Sequence, residues 1–323
     1  MLYKFVQRSQ GVARCASPPY FAAEEMAIGT QIDGRAYAAE LMEEVKDGVH
    51  ALDGQVGIAT LLVGEDYAAQ VYQRRIDRHA HEAGVFSRPE RLPADTSLPR
   101  VIAAIDALDR DPRVSGILLL RPLPPHLPES DILRALPRLK DVEAQHPENA
   151  GLLALGTPRF TPSTAAAAFH MLDRYMASVG RDPALAYDGL DLVVVGRSSN
   201  VGKPAAILGL ARNATVISAH KHTADAGRLA EHTRMADLLI VAAGVPGLIT
   251  GGFVREGAIV VDIGINAVQQ PDGSTRLVGD VDTESVLPLV EAVSPVPGGV
   301  GPITDVWLLR NALVAARLAR GEA

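Results

Sequence analysis

The sequence predicts an α/β protein of two domains. The chain has 323 residues, room for two domains of ordinary size. Short aliphatic runs alternate with stretches of helical spacing, in two successive sets, which implies crossover units on parallel sheets. Apolar residues make up 47 % and aromatic residues only 4 %, so the cores are aliphatic.

In the first set, apolar residues recur at helical spacing over 34–50, with Asp33 in place to cap. Residues 56–63 form a continuous aliphatic run ending at Gly64, the mark of a buried strand. Helices are expected over 67–83 and 98–108, a strand over 114–120, and a short helix over 129–136. Thr161-Pro-Ser163 is expected to cap a long helix over 164–179 that bridges the domains. The second set runs strand 190–195, helix 201–210, strand 215–218, helix 225–233 and strands 238–242 and 258–263. That order reads as a doubly wound, Rossmann-like nucleotide domain. A last helix, 304–320, is expected to return to the first domain. The expected division is an extension over 1–25, a catalytic domain over 26–160 plus 302–323, and a nucleotide domain over 161–301.

Net charge is −7 and no basic tract occurs, which argues against a nucleic-acid partner. A single cysteine, Cys15, rules out an intrachain disulfide or a Cys-rich metal centre and fits a reducing, cytoplasmic setting. No apolar run is long enough to span a bilayer. Lys4, Arg8 and Arg14 precede the first acid, Glu24, so residues 1–25 could be an organellar import signal; the plainer expectation is a surplus start, left out of the fold. No metal site is expected: His79-x-His81 is too closely spaced and lacks an acidic partner pattern.

Two glycine loops carry the functional signal. Pro295-Val-Pro-Gly-Gly-Val-Gly-Pro302 combines stiff turns with bare backbone that a ligand can approach, just ahead of the last helix. Gly196-Arg-Ser-Ser-Asn-Val-Gly-Lys-Pro204 follows a strand and opens a helix, where phosphate is favoured. It is not a Walker loop, since Pro204 stands where a metal-binding hydroxyl would be needed. Together, from Ile32-Asp-Gly34 to the C-terminus, the chain resembles the bifunctional methylenetetrahydrofolate dehydrogenase/methenyltetrahydrofolate cyclohydrolase family. The resemblance implies a tetrahydrofolate substrate, a dinucleotide cofactor and a homodimer.

By that resemblance, Gly196, Arg197, Ser198, Val201, Gly202 and Gly244 hold the cofactor, and Ile265 borders its nicotinamide. Arg197, His220 and Lys221 would welcome a 2′-phosphate, and no acid ends the following strand to grip a ribose diol, so NADP is expected over NAD. Tyr72 matches the tyrosine that packs on the folate aminobenzoyl ring. Pro297, Gly298, Gly299, Val300 and Gly301, with Arg75 and Arg121, are expected around the substrate. Glu143 stands at the position of the pterin-binding aspartate.

The pattern then departs. Ile76 occupies the place of the catalytic lysine, four residues after Tyr72, and Leu120 that of its glutamine partner. Oxidation of the methylene carbon needs orientation and a hydride acceptor, with the flanking nitrogen lone pairs driving it. Hydrolysis of the methenyl product needs protons moved at water and nitrogen. The sequence therefore predicts NADP-dependent oxidation of 5,10-methylenetetrahydrofolate with cyclohydrolase activity lost or weak. Three alternatives stay open: a bifunctional enzyme using another group near Arg75 or His79, a non-catalytic folate- or dinucleotide-binding paralogue, and an enzyme oxidising a different one-carbon carrier or an N-alkyl amine.

Overall fold

The computed structural model describes residues 29–270 and 273–322, so the expectations for 1–25 lie outside the described residues. Strand β1, Thr30–Gln31, leads into helix α1, Gly34–Ala51, and the Asp33 carboxylate accepts the Arg35 N–H at 2.9 Å as its cap. Strand β2, Gly57–Val63, is buried along its whole length, as a central parallel strand must be. Helix α2, Tyr67–Glu82, strand β3, Phe86–Leu92, helix α3, Leu98–Asp109, and strand β4, Gly116–Leu119, complete a three-stranded parallel sheet in the order β3-β2-β4. Helices α4, Glu129–Ala135, and α5, Pro147–Ala154, follow.

Helix α6, Ser163–Ser178, starts without the expected hydroxyl cap. Ser163 gives both its hydroxyl and its backbone N–H to Glu143 instead. The second set is strand β5, Asp191–Val195, helix α7, Gly202–Ala211, and strand β6, Thr215–Ala219. Two short helices come next, α8, Lys221–Asp225, and α9, Leu229–Thr233. A single helix was expected there; Gly227, at φ +70°, breaks it. Strands β7, Leu238–Val241, and β8, Ile259–Asp262, precede an antiparallel hairpin of β9, Asn266–Gln269, and β10, Thr275–Val278. Helix α10, Thr283–Val286, strand β11, Ala292–Val293, and helix α11, Val300–Leu318, close the chain.

The larger sheet runs β1-β11-β8-β7-β5-β6, all parallel. Thr30–Gln31 therefore pair within the nucleotide sheet before the chain crosses to the smaller one. Strand order reverses at β5, which has β6 on one side and β7 on the other. The crevice beyond the carboxyl ends of those strands is where a doubly wound sheet binds its ligand.

Helix α11 begins at Val300, inside the 295–302 loop, earlier than expected. Pro302 fits there because a first-turn residue needs no N–H donor. Helix α11 packs on α1, α6 and α2 and reaches β2 and β4. One apolar cluster joins Ile76, Leu118, Leu120 and Val142 to Val300, Ile303 and Leu309 of α11 and to Phe169 and Leu172 of α6. The long helices thus fuse the cores beneath the two sheets.

Candidate active site

A cleft of about 620 Å³ opens where these parts meet. Helix α2 presents Tyr72, Arg75 and His79 to it, at the three- and four-residue spacing of one helical face. The neighbouring face of the same helix, Ala69, Gln73, Ile76 and Ala80, is buried. Residues 295–302 form one wall, with Asp305 one turn further into α11. Val201, Asp262, Ile263, Ile265 and Leu277 come from the nucleotide side. The loop is pinned from α1: Gly34 N–H donates to the Gly298 carbonyl at 2.9 Å, and a Cβ on Gly34 would lie 1.9 Å from the Gly299 carbonyl oxygen.

Arg75 lines the cleft, as expected of a residue near the substrate. Its guanidinium lies over the Tyr72 ring, 5.0 Å from the centroid, and grips Asp305. Nη2 donates to Oδ1 at 3.1 Å and Nε lies 2.7 Å from Oδ2. Burial pushes the Asp305 carboxyl above its usual range, against the opposing charges of Arg75 and His79. The Tyr72 phenol is raised well above its usual range by burial, and then by the charges of Asp305 and Glu143.

Ile76 and Leu120 lie in the shared apolar cluster, 0 % and 2 % exposed, and neither lines the cleft. Among the described residues, no lysine lines it either. Glu143, held by Ser163, has its carboxyl raised to about 7 by burial, which outweighs the two hydrogen bonds. Arg121 is not part of the cleft wall; it is drawn to Glu129, Nε donating to Oε1 at 2.6 Å, although its charge still favours ionised Glu143. Pro297, Gly298, Gly299, Val300 and Gly301 all line the cleft, and Arg35, which the sequence reading passed over, lies against Gly298.

The loop after β5 meets the demands of a phosphate cradle. Gly196 sits at φ +122°, and a Cβ on Gly202 would come within 2.2 Å of the Gly196 carbonyl oxygen, so side chains are barred where backbone must close up. The Ser198 hydroxyl accepts the N–H groups of Val201 and Gly202 at 3.2 and 3.3 Å. At the end of β6, His220 is disfavoured as a cation by burial and then by the charges of Arg197 and His222, which places a group of basic side chains together. Lys221 belongs to it by position, but its ammonium is engaged by Asp225 at 2.8 and 3.1 Å. A polyanionic dinucleotide fits this corner. Val201 and Ile265 carry it into the cleft.

Two buried aspartates shape the edge between corner and cleft. Asp280 accepts the N–H groups of Ala243, Gly244 and Val245 and the side-chain amide of Asn266. Asp262 accepts those of Gly264, Asp280 and Val281, and burial still raises its carboxyl to about 7. Gly244 is thus a backbone element of the loop rather than a residue of the cleft wall.

The sequence matches the tetrahydrofolate dehydrogenase/cyclohydrolase catalytic domain over residues 32–143 and the NAD(P)-binding domain of the same enzymes over 162–320. The chain belongs to the tetrahydrofolate dehydrogenase/cyclohydrolase family. The bifunctional protein FolD 3 of Rubrobacter xylanophilus is 56 % identical over 291 residues, covering 88 % of this chain and 92 % of that one. The FolD methylenetetrahydrofolate dehydrogenase/cyclohydrolase of Campylobacter jejuni superposes with a TM-score of 0.82 at 36 % identity, over 90 % of this chain and 99 % of that one. The Trypanosoma brucei enzyme, solved with NADP cofactor and an inhibitor, gives 0.83 at 30 % identity, over 91 % and 99 %.

Asp305 and Asp262, with Arg35, are the charged cleft residues that sequence reasoning missed. Asp305 left a signal: a carboxylate three residues past Pro302, in the first turns of a largely apolar helix. Asp262, at the end of a uniformly aliphatic strand, left a similar one.

Proposed function

We propose that this protein oxidises 5,10-methylenetetrahydrofolate with NADP and then hydrolyses the 5,10-methenyl product in the same cleft. The observation that carries the reading is that one cleft holds Tyr72 and the 295–302 loop together with Val201 and Ile265 of the nucleotide domain. NADP supplies the hydride acceptor when bound. The chain's own part is to orient: Tyr72 stacks the aromatic portion of the substrate, Glu143 accepts pterin N–H groups, and the bare backbone of Gly298 and Gly299 lets the ring approach. Arg197 and His220, with Lys221 once released from Asp225, favour the 2′-phosphate. The inhibitor-bound relative solved with NADP supports the same choice.

Hydrolysis is the finer half. Ile76 and Leu120 supply no ammonium and no amide, which was the ground for expecting it lost. The 56 % identity to a protein named bifunctional favours retention, and so does a cleft with two other ionisable side chains, Asp305 and His79. The enzyme is taken to work in the cytoplasm as a homodimer; among the described residues no helix is long and apolar enough to cross a membrane. The domain division proposed from the sequence is kept, with β1 contributed to the nucleotide sheet.

The test uses purified protein. With methylenetetrahydrofolate and NADP⁺, reduced cofactor should form. With methenyltetrahydrofolate alone, absorbance of the cation should decay well above the buffer rate. Oxidation without that decay restores the expectation of lost hydrolysis and leaves the dehydrogenase standing. Tight cofactor binding with neither reaction would make the protein a binding module.

A further inference from the structure

The cleft wall carries an imidazole beside its buried ion pair. His79 is two helical turns beyond Tyr72 on the same face of α2, and its side chain is 22 % exposed. Its Nε2 lies 3.7 Å from Asp305 Oδ2, and its Nδ1 lies 3.5 Å from Glu82 Oε2. The first separation is too long for a direct hydrogen bond and suits a shared water. Asp305 is only 4 % exposed and cannot turn away, because Arg75 holds both its oxygens from one side. The Arg75 guanidinium is itself set by the Tyr72 ring. Arg78 is the further charge close enough to act on Asp305.

We propose that His79 is the proton-transfer residue of methenyl hydrolysis, with Asp305 and Arg75 as positioning residues that hold the attacking water against it. The inference rests on the bifunctional reading above. Water adds to the bridging carbon, forming a C–O bond, while the π pair of the C=N bond returns to nitrogen. His79 takes a water proton. The C–N bond to one flanking nitrogen then breaks, its electron pair staying on that nitrogen, and His79 returns the proton there. The remaining hydroxyl proton leaves to solvent as the carbonyl forms. The cation and one water thus give a neutral formyl compound and one released proton. Arginine holds its proton too strongly to do this, whereas imidazole exchanges one near neutral pH.

The experiment compares wild type, His79→Ala and Asp305→Asn in both reactions, with and without added imidazole. Loss of a general acid–base group costs about 10²- to 10⁴-fold. His79→Ala should lose hydrolysis on that scale, keep dehydrogenase kcat within about twofold, and recover part of its hydrolysis with imidazole. Asp305→Asn should fall less, and imidazole should not help it. Undiminished hydrolysis in His79→Ala overturns the inference while leaving the bifunctional reading intact. Parallel loss of both reactions, or selective loss that imidazole does not restore, overturns it too, since His79 would then merely shape the cleft. Absence of hydrolysis in wild type sinks the bifunctional reading first and the inference with it.

Discussion

Arg75 and Asp305 are 230 positions apart in the chain and meet as an ion pair on the wall of the cleft, with Nη2 to Oδ1 at 3.1 Å. The pair is lopsided: Arg75 is 41 % exposed and Asp305 4 %. Removing each partner should therefore cost differently. Arg75→Ala strands a buried carboxylate and should destabilise by roughly 2 kcal/mol, below the ~3–5 of a fully buried pair because solvent screens the arginine. Asp305→Leu lets Arg75 turn to water and should cost about 1 kcal/mol or less. Denaturant melts of the two variants decide this; equal losses would show that the burial asymmetry has no energetic weight.

Ile76→Lys places an ammonium in a packed apolar cluster. It should lower stability by roughly 3 kcal/mol, and Leu120→Gln, which sits in the same cluster, should return part of that by accepting a hydrogen bond. The double variant should hydrolyse the methenyl compound faster than either single one. Thermal melts and the methenyl assay on the three variants measure both effects.

Glu143 should set a pH dependence. Its carboxyl is raised from 4.5 to about 7 in the folded protein. A raised acid stabilises the fold fully below its unfolded value and loses that contribution as pH climbs through about 7. Glu143→Gln, neutral at every pH, should thus melt like wild type at pH ~5 and above it at pH ~8. Under the role proposed for Glu143, substrate recognition runs the opposite way, because only the ionised form would accept pterin N–H groups with both oxygens. Dehydrogenase kcat/KM should rise with pH through about 7, and Glu143→Gln should flatten that rise. A profile unchanged in the variant would assign the inflection to Asp262, raised to a similar value.

Arg197 should matter more than Lys221 for NADP. Lys221 is already satisfied by Asp225 and is 81 % exposed. Lys221→Ala should change the NADP KM by less than about threefold, whereas Arg197→Ala, losing a charged contact worth ~1.5–3 kcal/mol, should raise it roughly 10- to 100-fold. NAD kinetics should move little in either. A larger effect at Lys221 would mean that the cofactor breaks its ion pair with Asp225.

Gly34 is far from the substrate in sequence but not in effect. An added methyl would meet the Gly299 carbonyl oxygen at 1.9 Å, while one at Gly301 would meet nothing within 4 Å. Gly34→Ala should lower Tm and raise the folate KM by displacing the loop, and Gly301→Ala should leave Tm unchanged. Comparable melting of both would contradict the close approach.

The sequence alone determined the α/β class, most of the helices and buried strands, and both glycine loops. Those features are written locally, in periodicity and in residues that restrict φ. It did not show strand β3, whose Ser87-Arg-Pro-Glu-Arg91 carries little apolar signal because it is a sheet edge, where proline and charge are tolerated. Nor did it show that residues 30 and 31 join the nucleotide sheet, since pairing across 262 positions of chain leaves no local trace. That Ile76 stands where the family resemblance places a lysine could be read from the sequence, but what faces the cleft instead could not. Only the packing of α11 against α2 brings Asp305 to Arg75 and His79, because a buried carboxylate is stable where folding delivers its partners and nowhere else.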